Sequence, residues 1–545
     1  MSPRKSLRRE ARLYLDGKYQ TLVDKEALVR GGADDPGLAA AVASVTKICW
    51  AHRRHTVGSA PGGAEPTTQD SERLSLACHQ QVAGMRLVRN IFSALLFFVA
   101  ILPGPAGKPA AAEDGLFAQQ TLTGDWGGMR TTLKDAGIDL NANDTSDMLS
   151  NPVGGIKQTT IYEGLLTMTL NLDLEKLVHW PGATIYGEAY QISGRGLSRS
   201  AIGNLLVVSN IEALPGARLN DFWFQQELLD RQLSLRIGQI AIDDPNEFYY
   251  AQYSANAFIN STFGCPDILS TDLPSGGPCY PFAVPGVRLR IGAPTALNLS
   301  GAVFNGNPAP PGPGDPQVRN SGGTNFLIGE GGTLVLAELA YPFDIKPDLS
   351  GSLSDVKLGG WYHPADFPDL RSDTLGRSLA DPASNGIAAT HRSNFGLYTI
   401  VDKMLWQPPD AASQGLSGFV RIGGAPGNRN LLSLEVDAGL TYNGLLPNRV
   451  ADLTGIAASY GRIGSAARGL ARDVALFTGV AQPIRDYEAV LELTYQLNVA
   501  PWWVLQPDLQ LIFHPGGHTT APLPAPLGQP IPNALVLGIR STITF

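Results

Sequence analysis

Cysteine, charge and long apolar runs are all scarce in this chain. Four cysteines in 545 residues are too few to staple a protein of this length, and none sits in a C-x-x-C pair, which removes zinc ribbons and thioredoxin-like sites. Charged residues are only 17% of the chain and the net charge is -8, a poor balance for a nucleic-acid binder. No apolar stretch reaches the roughly 18 residues of a membrane-spanning helix. Enzyme signatures are missing as well: there is no G-x-S-x-G elbow, no H-E-x-x-H helix and no G-x-x-x-x-G-K-[ST] loop. A hydrolase built on barrel strands needs no such local motif; its mark would be a His beside a Ser or Asp at the external rim, and the sequence offers none. What is plentiful is turn chemistry, with 61 Gly and 40 Pro, which disfavours a helical bundle.

Met85 opens a second kind of segment. Arg86 and Arg89 precede the apolar stretch Ile91 to Leu102, and Ala110-Ala111-Ala112 follows as a small-residue cleavage site, so 85–112 reads as a signal peptide. The basic preface 1–84 lies upstream of it and would hinder export, so translation is expected to begin at Met85 and the mature chain at Glu113. The mature part holds 26 Lys and Arg against 40 Asp and Glu, with 20 Arg to 6 Lys. That bias suits fixed guanidinium forks in a polar lining.

The mature chain alternates apolar and polar residues with a period of two. Leu491, Leu493, Tyr495, Leu497 and Val499 oppose Glu492, Thr494, Gln496 and Asn498. Leu432, Leu434, Val436, Ala438, Leu440 and Tyr442 oppose Ser433, Glu435, Asp437, Gly439, Thr441 and Asn443. Leu166, Met168, Leu170, Leu172 and Leu174 oppose Thr167, Thr169, Asn171 and Asp173. Such runs exceed the usual globular strand of about five or six residues and match the roughly 9–11 of a tilted membrane strand. A soluble sandwich and a membrane barrel both accept alternation, with opposite faces buried. Strand length, the export signal and the final strand Ala534 to Phe545 favour an all-β, transmembrane antiparallel β-barrel, closed so that no backbone is left unpaired in lipid.

The stretch Leu122-Thr123-Gly124-Asp125-Trp126-Gly127-Gly128-Met129-Arg130, with Leu133 and Gly137-Ile138, resembles the N-terminal signature of the carbohydrate-selective outer-membrane porins (OprB type). Leu235 to Gln239, Phe258 to Gly264 and the block from Pro501-Trp502 through Gln506 to Gln510 and on to Pro515-Gly516-Gly517 agree with it, and the resemblance covers 115–545. It implies 16 strands, a short N-terminal periplasmic segment (113–160), a barrel over 161–545, long external loops folded into the lumen and passive diffusion of sugars in the bacterial outer membrane. The terminal Phe545 resembles the signal read by the barrel-assembly machinery. No catalysis and no cofactor follow. The Pro-rich stretches 308–313 and 521–526 depart from the family pattern.

Side-chain parity picks a candidate constriction. A carboxylate facing lipid would cost a few kcal/mol, so Glu188 should face the lumen, with Tyr186 and Tyr190 on its side. The same parity turns Arg236 inward against Leu233, Leu235 and Ile237, and Trp223 and Gln225 inward against Phe222 and Phe224. Glu188, Trp223, Arg236, Tyr186 and Gln225 are the expected solute-binding set; the competing reading is a ladder of wall charges that stabilises the barrel. Cys265 and Cys279 bracket a Pro/Gly-rich loop and are expected to pair in an oxidising periplasm. No metal is expected: His514 and His518 flank a Pro-Gly-Gly turn without a carboxylate or cysteine at ligand spacing.

Overall fold

The computed structural model describes residues 115–243, 248, 257–326, 328–329, 331–343, 354–409, 414–522 and 528–545. The preface 1–84 and the signal segment 85–112 lie outside the described residues. Sixteen strands run in chain order: β1 (Ile138–Val153), β2 (Thr160–Asp173), β3 (Ala183–Gly194), β4 (Gly216–Leu228), β5 (Leu233–Ile240), β6 (Val284–Ile291), β7 (Asn298–Asn305) and β8 (Thr333–Phe343) form the first half. The second half is β9 (Ser354–Asp373), β10 (Ala388–Trp406), β11 (Gly415–Gly424), β12 (Leu432–Asn443), β13 (Leu453–Ile463), β14 (Tyr487–Ala500), β15 (Trp503–Phe513) and β16 (Ala534–Thr544). Each pairs antiparallel with its chain neighbour, and β1 pairs with β16, so the sheet is a closed barrel. Among the described residues no helix is long and apolar enough to cross a membrane.

Alternation explains the strands. Along β8 every second residue is buried, Leu334 and Leu336 facing inward while Val335, Leu339 and Tyr341 face out. The outer belt continues through Phe222, Ile237, Leu289, Leu358, Leu493 and Ile539, all exposed on the outside of the barrel. Inside stand the polar partners: Glu492, Glu435, Asp437, Arg421 and Asp147 are 0–1% exposed.

Three details differ from the sequence reading, each for a local reason. Leu432 is fully buried rather than outward, because the β12–β13 register shifts between Leu432 and Leu434 and turns it into the lumen. Leu174 is not in a strand: the Asp173 side chain accepts the Glu175 and Lys176 N–H groups at 3.0 and 3.3 Å and starts the short helix Leu174–Val178. The barrel begins at Ile138 rather than at 161, because β1 is so rich in Asp and Asn that its alternation is masked.

Connections at one rim run from two residues at 501–502 and four at 229–232 to at most ten, whereas five at the other rim, 195–215, 241–283, 306–332, 464–486 and 514–533, run to 20 or more. Outer-membrane barrels keep short turns in the periplasm and long loops outside. On the short-turn side, the segment before β1 clasps the chain end. Leu122 N donates to Thr544 O at 2.8 Å, the Arg130 guanidinium to Phe545 O at 2.6 Å, and Phe545 N to Ala142 O at 2.9 Å.

Two long loops fold into the barrel, and wall carboxylates hold them by their backbone. Glu488 accepts Leu205 N and Leu206 N at 2.8 and 2.7 Å, Glu492 accepts Ile259 N and Asn260 N at 2.6 and 2.9 Å, and Glu435 accepts Ile268 N at 2.6 Å. Inside this frame Phe258, Phe263 and Phe419 pack against one another in tilted and edge-on contacts, with centroids 5.0–6.3 Å apart. Lumen carboxylates thus supply acceptors that backbone N–H groups removed from water require.

Candidate functional site

The five residues singled out by parity lie side by side on the lumen wall of β3, β4 and β5. Tyr186 opposes Trp223 across β3–β4, and Gln225 opposes Arg236 across β4–β5. Their rings and charges form one stack: Tyr186 lies on Trp223 with centroids 4.9 Å apart at 23°, and the Arg236 guanidinium sits 3.8 Å from the centre of the Trp223 ring. Desolvated cation–π contacts of this kind contribute about 2 kcal/mol. Arg236 Nε also donates to Gln225 Oε1 at 3.1 Å, and Arg288 donates to the same oxygen at 3.1 Å. At the head of the stack, Tyr186 OH donates to Glu188 at 2.9 Å.

Above this stack, toward the long loops, opens a cavity of about 620 Å³. Of the five residues only Glu188 lines it, beside Tyr190, Asn220, Asp221, Asp243 and Tyr280. Asn220 Nδ2 donates to both Glu188 Oε1 and Tyr190 OH at 2.9 Å. Asp221 accepts Ala241 N at 2.8 Å, and Asp243 accepts Tyr280 N at 2.9 Å. Burial pushes the Asp243 carboxyl up to about 6, the Tyr280 N–H opposing and the charge of Glu188 adding a smaller push. The tyrosines face each other, Tyr190 and Tyr280 with centroids 5.6 Å apart. Tyr280 is fixed by its hydroxyl, which donates to Ile211 O at 2.8 Å, and Cys265 and Cys279 are joined as a disulfide next to it.

Sequence reasoning passed over Asn220, Asp221, Asp243 and Tyr280. Strict alternation turns only one of two successive residues inward, yet Asn220 and Asp221 are both buried, at 3% and 2%. The β3–β4 register shifts between Gly187 and Ala189, directly opposite them, and that irregularity brings both side chains to the lumen. Asp243 and Tyr280 belong to the long loop, where no periodicity marks them.

Histidines at the outer rim also depart from expectation. The carboxylate missing from the local sequence around His514 and His518 is supplied by Asp486, 2.9 Å from His514 Nδ1. His391 likewise pairs with Asp369 at 2.8 Å. No serine hydroxyl is hydrogen-bonded to His391 or His514 among the described residues.

A closed barrel with an apolar outer belt, a charged lumen and loops folded inward to narrow it is a diffusion channel of the bacterial outer membrane, a porin and not an enzyme. Residues 157–545 match the family described as "Carbohydrate-selective porin, OprB family", and the chain belongs to that family. Porin B of Pseudomonas aeruginosa is 24% identical over 443 residues, which cover 78% of this chain and 91% of Porin B. The putative porin QuiX of Acinetobacter baylyi is 23% identical over 459 residues, covering 79% and 96% respectively. Among solved structures, OprB of Pseudomonas putida at high pH superposes with a TM-score of 0.68 at 22% identity, over 79% of this chain and 100% of that one.

Proposed function

We propose that this porin recognises sugars at the lumen cavity bounded by Glu188, Tyr190, Asn220, Asp221, Asp243 and Tyr280, with Trp223, Arg236, Tyr186 and Gln225 as the adjoining wall of the solute path. The observation that carries the reading is the juxtaposition of the Glu188, Asp221 and Asp243 carboxylates and the Asn220 carboxamide with two facing tyrosine rings in a single cavity rich in polar side chains. A sugar presents hydroxyls around its edge and an apolar face. Carboxylates accept from two hydroxyls at once, Asn220 can donate and accept, and the rings stack against the face.

Affinity has to stay low, because a solute that binds too well does not leave. The wall stack keeps Glu188 in place through Tyr186, and Arg236 adds bulk and donors lower in the path. Charged hydrogen-bonding groups of this kind contribute about 1.5–3 kcal/mol each, enough for a weak preference.

The test is liposome swelling with a monosaccharide and an amino acid of similar size. Faster swelling with the sugar is expected. Equal rates would make the protein a general porin without sugar preference.

A further inference from the structure

At the outer rim, away from the lumen cavity, the turn His514-Pro515-Gly516-Gly517-His518 follows β15 and folds back toward Asp486, the residue before β14. His514 Nδ1 lies 2.9 Å from Asp486 Oδ1, and His518 Nδ1 lies 3.7 Å from Asp486 Oδ2. One ligand atom from each of the three falls within 4.8 Å of the others. The two imidazoles are stacked with centroids 4.2 Å apart, and Tyr487 covers the His514 ring at 4.4 Å. All three side chains are partly open to water, at 25%, 30% and 40% exposure.

The backbone dictates this convergence. His514 and His518 have φ of 53° and 64°, and the two glycines between them are also left-handed, at 68° and 69°. Non-glycine residues adopt that region at a cost. Here it curls five residues tightly enough to aim two imidazoles, four positions apart, at one carboxylate. The turn is pinned from below: Gly516 N donates to Glu488 Oε2 at 2.6 Å, Arg485 donates to Gly516 O at 2.8 Å, Asp486 N donates to Gly517 O at 3.2 Å, and His514 N donates to Asn533 Oδ1 at 2.9 Å. Glu488, which holds the same turn, offsets the charge of Arg485.

We propose that Asp486, His514 and His518 bind a divalent late first-row transition metal such as zinc, with water filling the remaining positions. Two imidazole nitrogens and one carboxylate oxygen suit zinc, nickel or copper, whereas calcium and magnesium prefer all-oxygen shells. Bonds of about 2.0–2.2 Å place tetrahedral ligands roughly 3.3 Å apart. The present ligand atoms lie within 4.8 Å of one another, so binding would draw them closer together. Without metal, Asp486 accepts the His514 Nδ1–H; on binding a cation that proton would move to Nε2 of the neutral ring or be released to solvent, leaving the Nδ1 lone pair for the metal. The ligands come from two different external loops, so the metal would tie the β13–β14 loop to the β15–β16 loop.

The test uses the untagged, full mature porin in detergent, stripped with chelator and titrated with zinc chloride by calorimetry. One zinc per barrel is expected, with no comparable heat from magnesium or calcium chloride. His514→Ala and His518→Ala should each weaken binding by at least the roughly tenfold that loss of even an outer partner costs at metal sites. His391→Ala, at the other rim pair, should leave it unchanged. His518→Gln serves where His518→Ala fails to fold, folding being read from heat-modifiable migration. Absence of a stoichiometric zinc site in the wild type, or wild-type affinity in the folded His514 and His518 variants, overturns the proposal.

Discussion

Removing the carboxylate of Glu492 tests whether wall carboxylates set the channel's width. Its two oxygens, wholly shielded from solvent, accept Ile259 N at 2.6 Å and Asn260 N at 2.9 Å, and the Asn260 side chain carries the connection on to Gln510 Oε1 at 3.0 Å. In Glu492→Ala both backbone donors lose their acceptor. Each buried orphan costs about 1–3 kcal/mol, so the docked loop loses about 2–6 kcal/mol, the lower end applying where water enters the vacated space. Glu435 still holds Ile268 N and the Thr262 hydroxyl, both at 2.6 Å. The loop should therefore fray at residues 257–260 rather than leave the lumen. Glu492→Gln should be intermediate, because a carboxamide offers one acceptor and turns a donor toward the second N–H. The barrel's own ladder hydrogen bonds are backbone and survive in both variants. Single-channel recording in planar bilayers should show larger or visibly fluctuating current steps in the order Ala, Gln, wild type. Steady wild-type conductance in a correctly folded Glu492→Ala porin would refute the idea that these carboxylates anchor the loop.

Three further outcomes follow from the geometry. Arg236→Ala, which removes a guanidinium stacked on Trp223, should raise single-channel conductance and weaken sugar block together; if Arg236→Ala, Glu188→Ala and Trp223→Ala all leave both quantities unchanged, these residues are wall structure only. Asp243, whose carboxyl burial lifts to about 6 with Glu188 as the facing charge, should be ionised at pH 7.5 and largely neutral at pH 5. Cation preference read from reversal potentials should then fall across pH 6 in the wild type and fall less in Asp243→Asn, with identical profiles counting against this assignment. The folded carboxyl holds its proton more tightly than an unfolded aspartate does, so this group adds stability as pH drops from about 6 toward the ordinary range, the reverse of a salt-bridged carboxylate. Deleting Phe545, which also removes the carbonyl gripped by Arg130, should reduce the yield of heat-modifiable barrel, and Arg130→Ala should reproduce part of that loss; full assembly of the deletion would dismiss the terminal aromatic as an assembly signal.

The strands were legible because each meets two solvents, lipid outside and a polar interior, and the sequence must alternate to satisfy both. That is why Glu188, Trp223 and Arg236 could be placed on the inner face by parity alone. Parity fails where the ladder slips, as at Leu432 and at the Asn220–Asp221 pair, since one irregular residue reverses the facing of its neighbours. It fails again in β1, whose aspartates and asparagines hide the rhythm. The loop anchors could not be seen at all. Glu488 and Leu206 are 282 positions apart, and the acceptor's partner is a backbone N–H that every residue type carries. Asp486 escaped for a milder form of the same reason, joining His514 from 28 positions away.

The seam between β1 and β16 has a consequence in time. Thr544 and Asn143 hydrogen-bond across 401 positions, whereas every other strand pair joins chain neighbours. Closing a loop of that length from an unstructured chain costs about 5 kcal/mol in entropy, but zipping one hairpin after another brings the ends together at far lower cost. Until Ala534–Thr544 docks, β1 and β15 are open edges with unsatisfied backbone, intolerable in lipid. A chain stopped anywhere short of β16 is therefore not a narrower pore but an open ribbon. Docking of β16 on β1 is the pairing that satisfies the last two backbone edges. Substitutions at the seam, such as those that break the Arg540–Asp147 pair at 2.7 Å, should slow closure while leaving the earlier hairpins untouched.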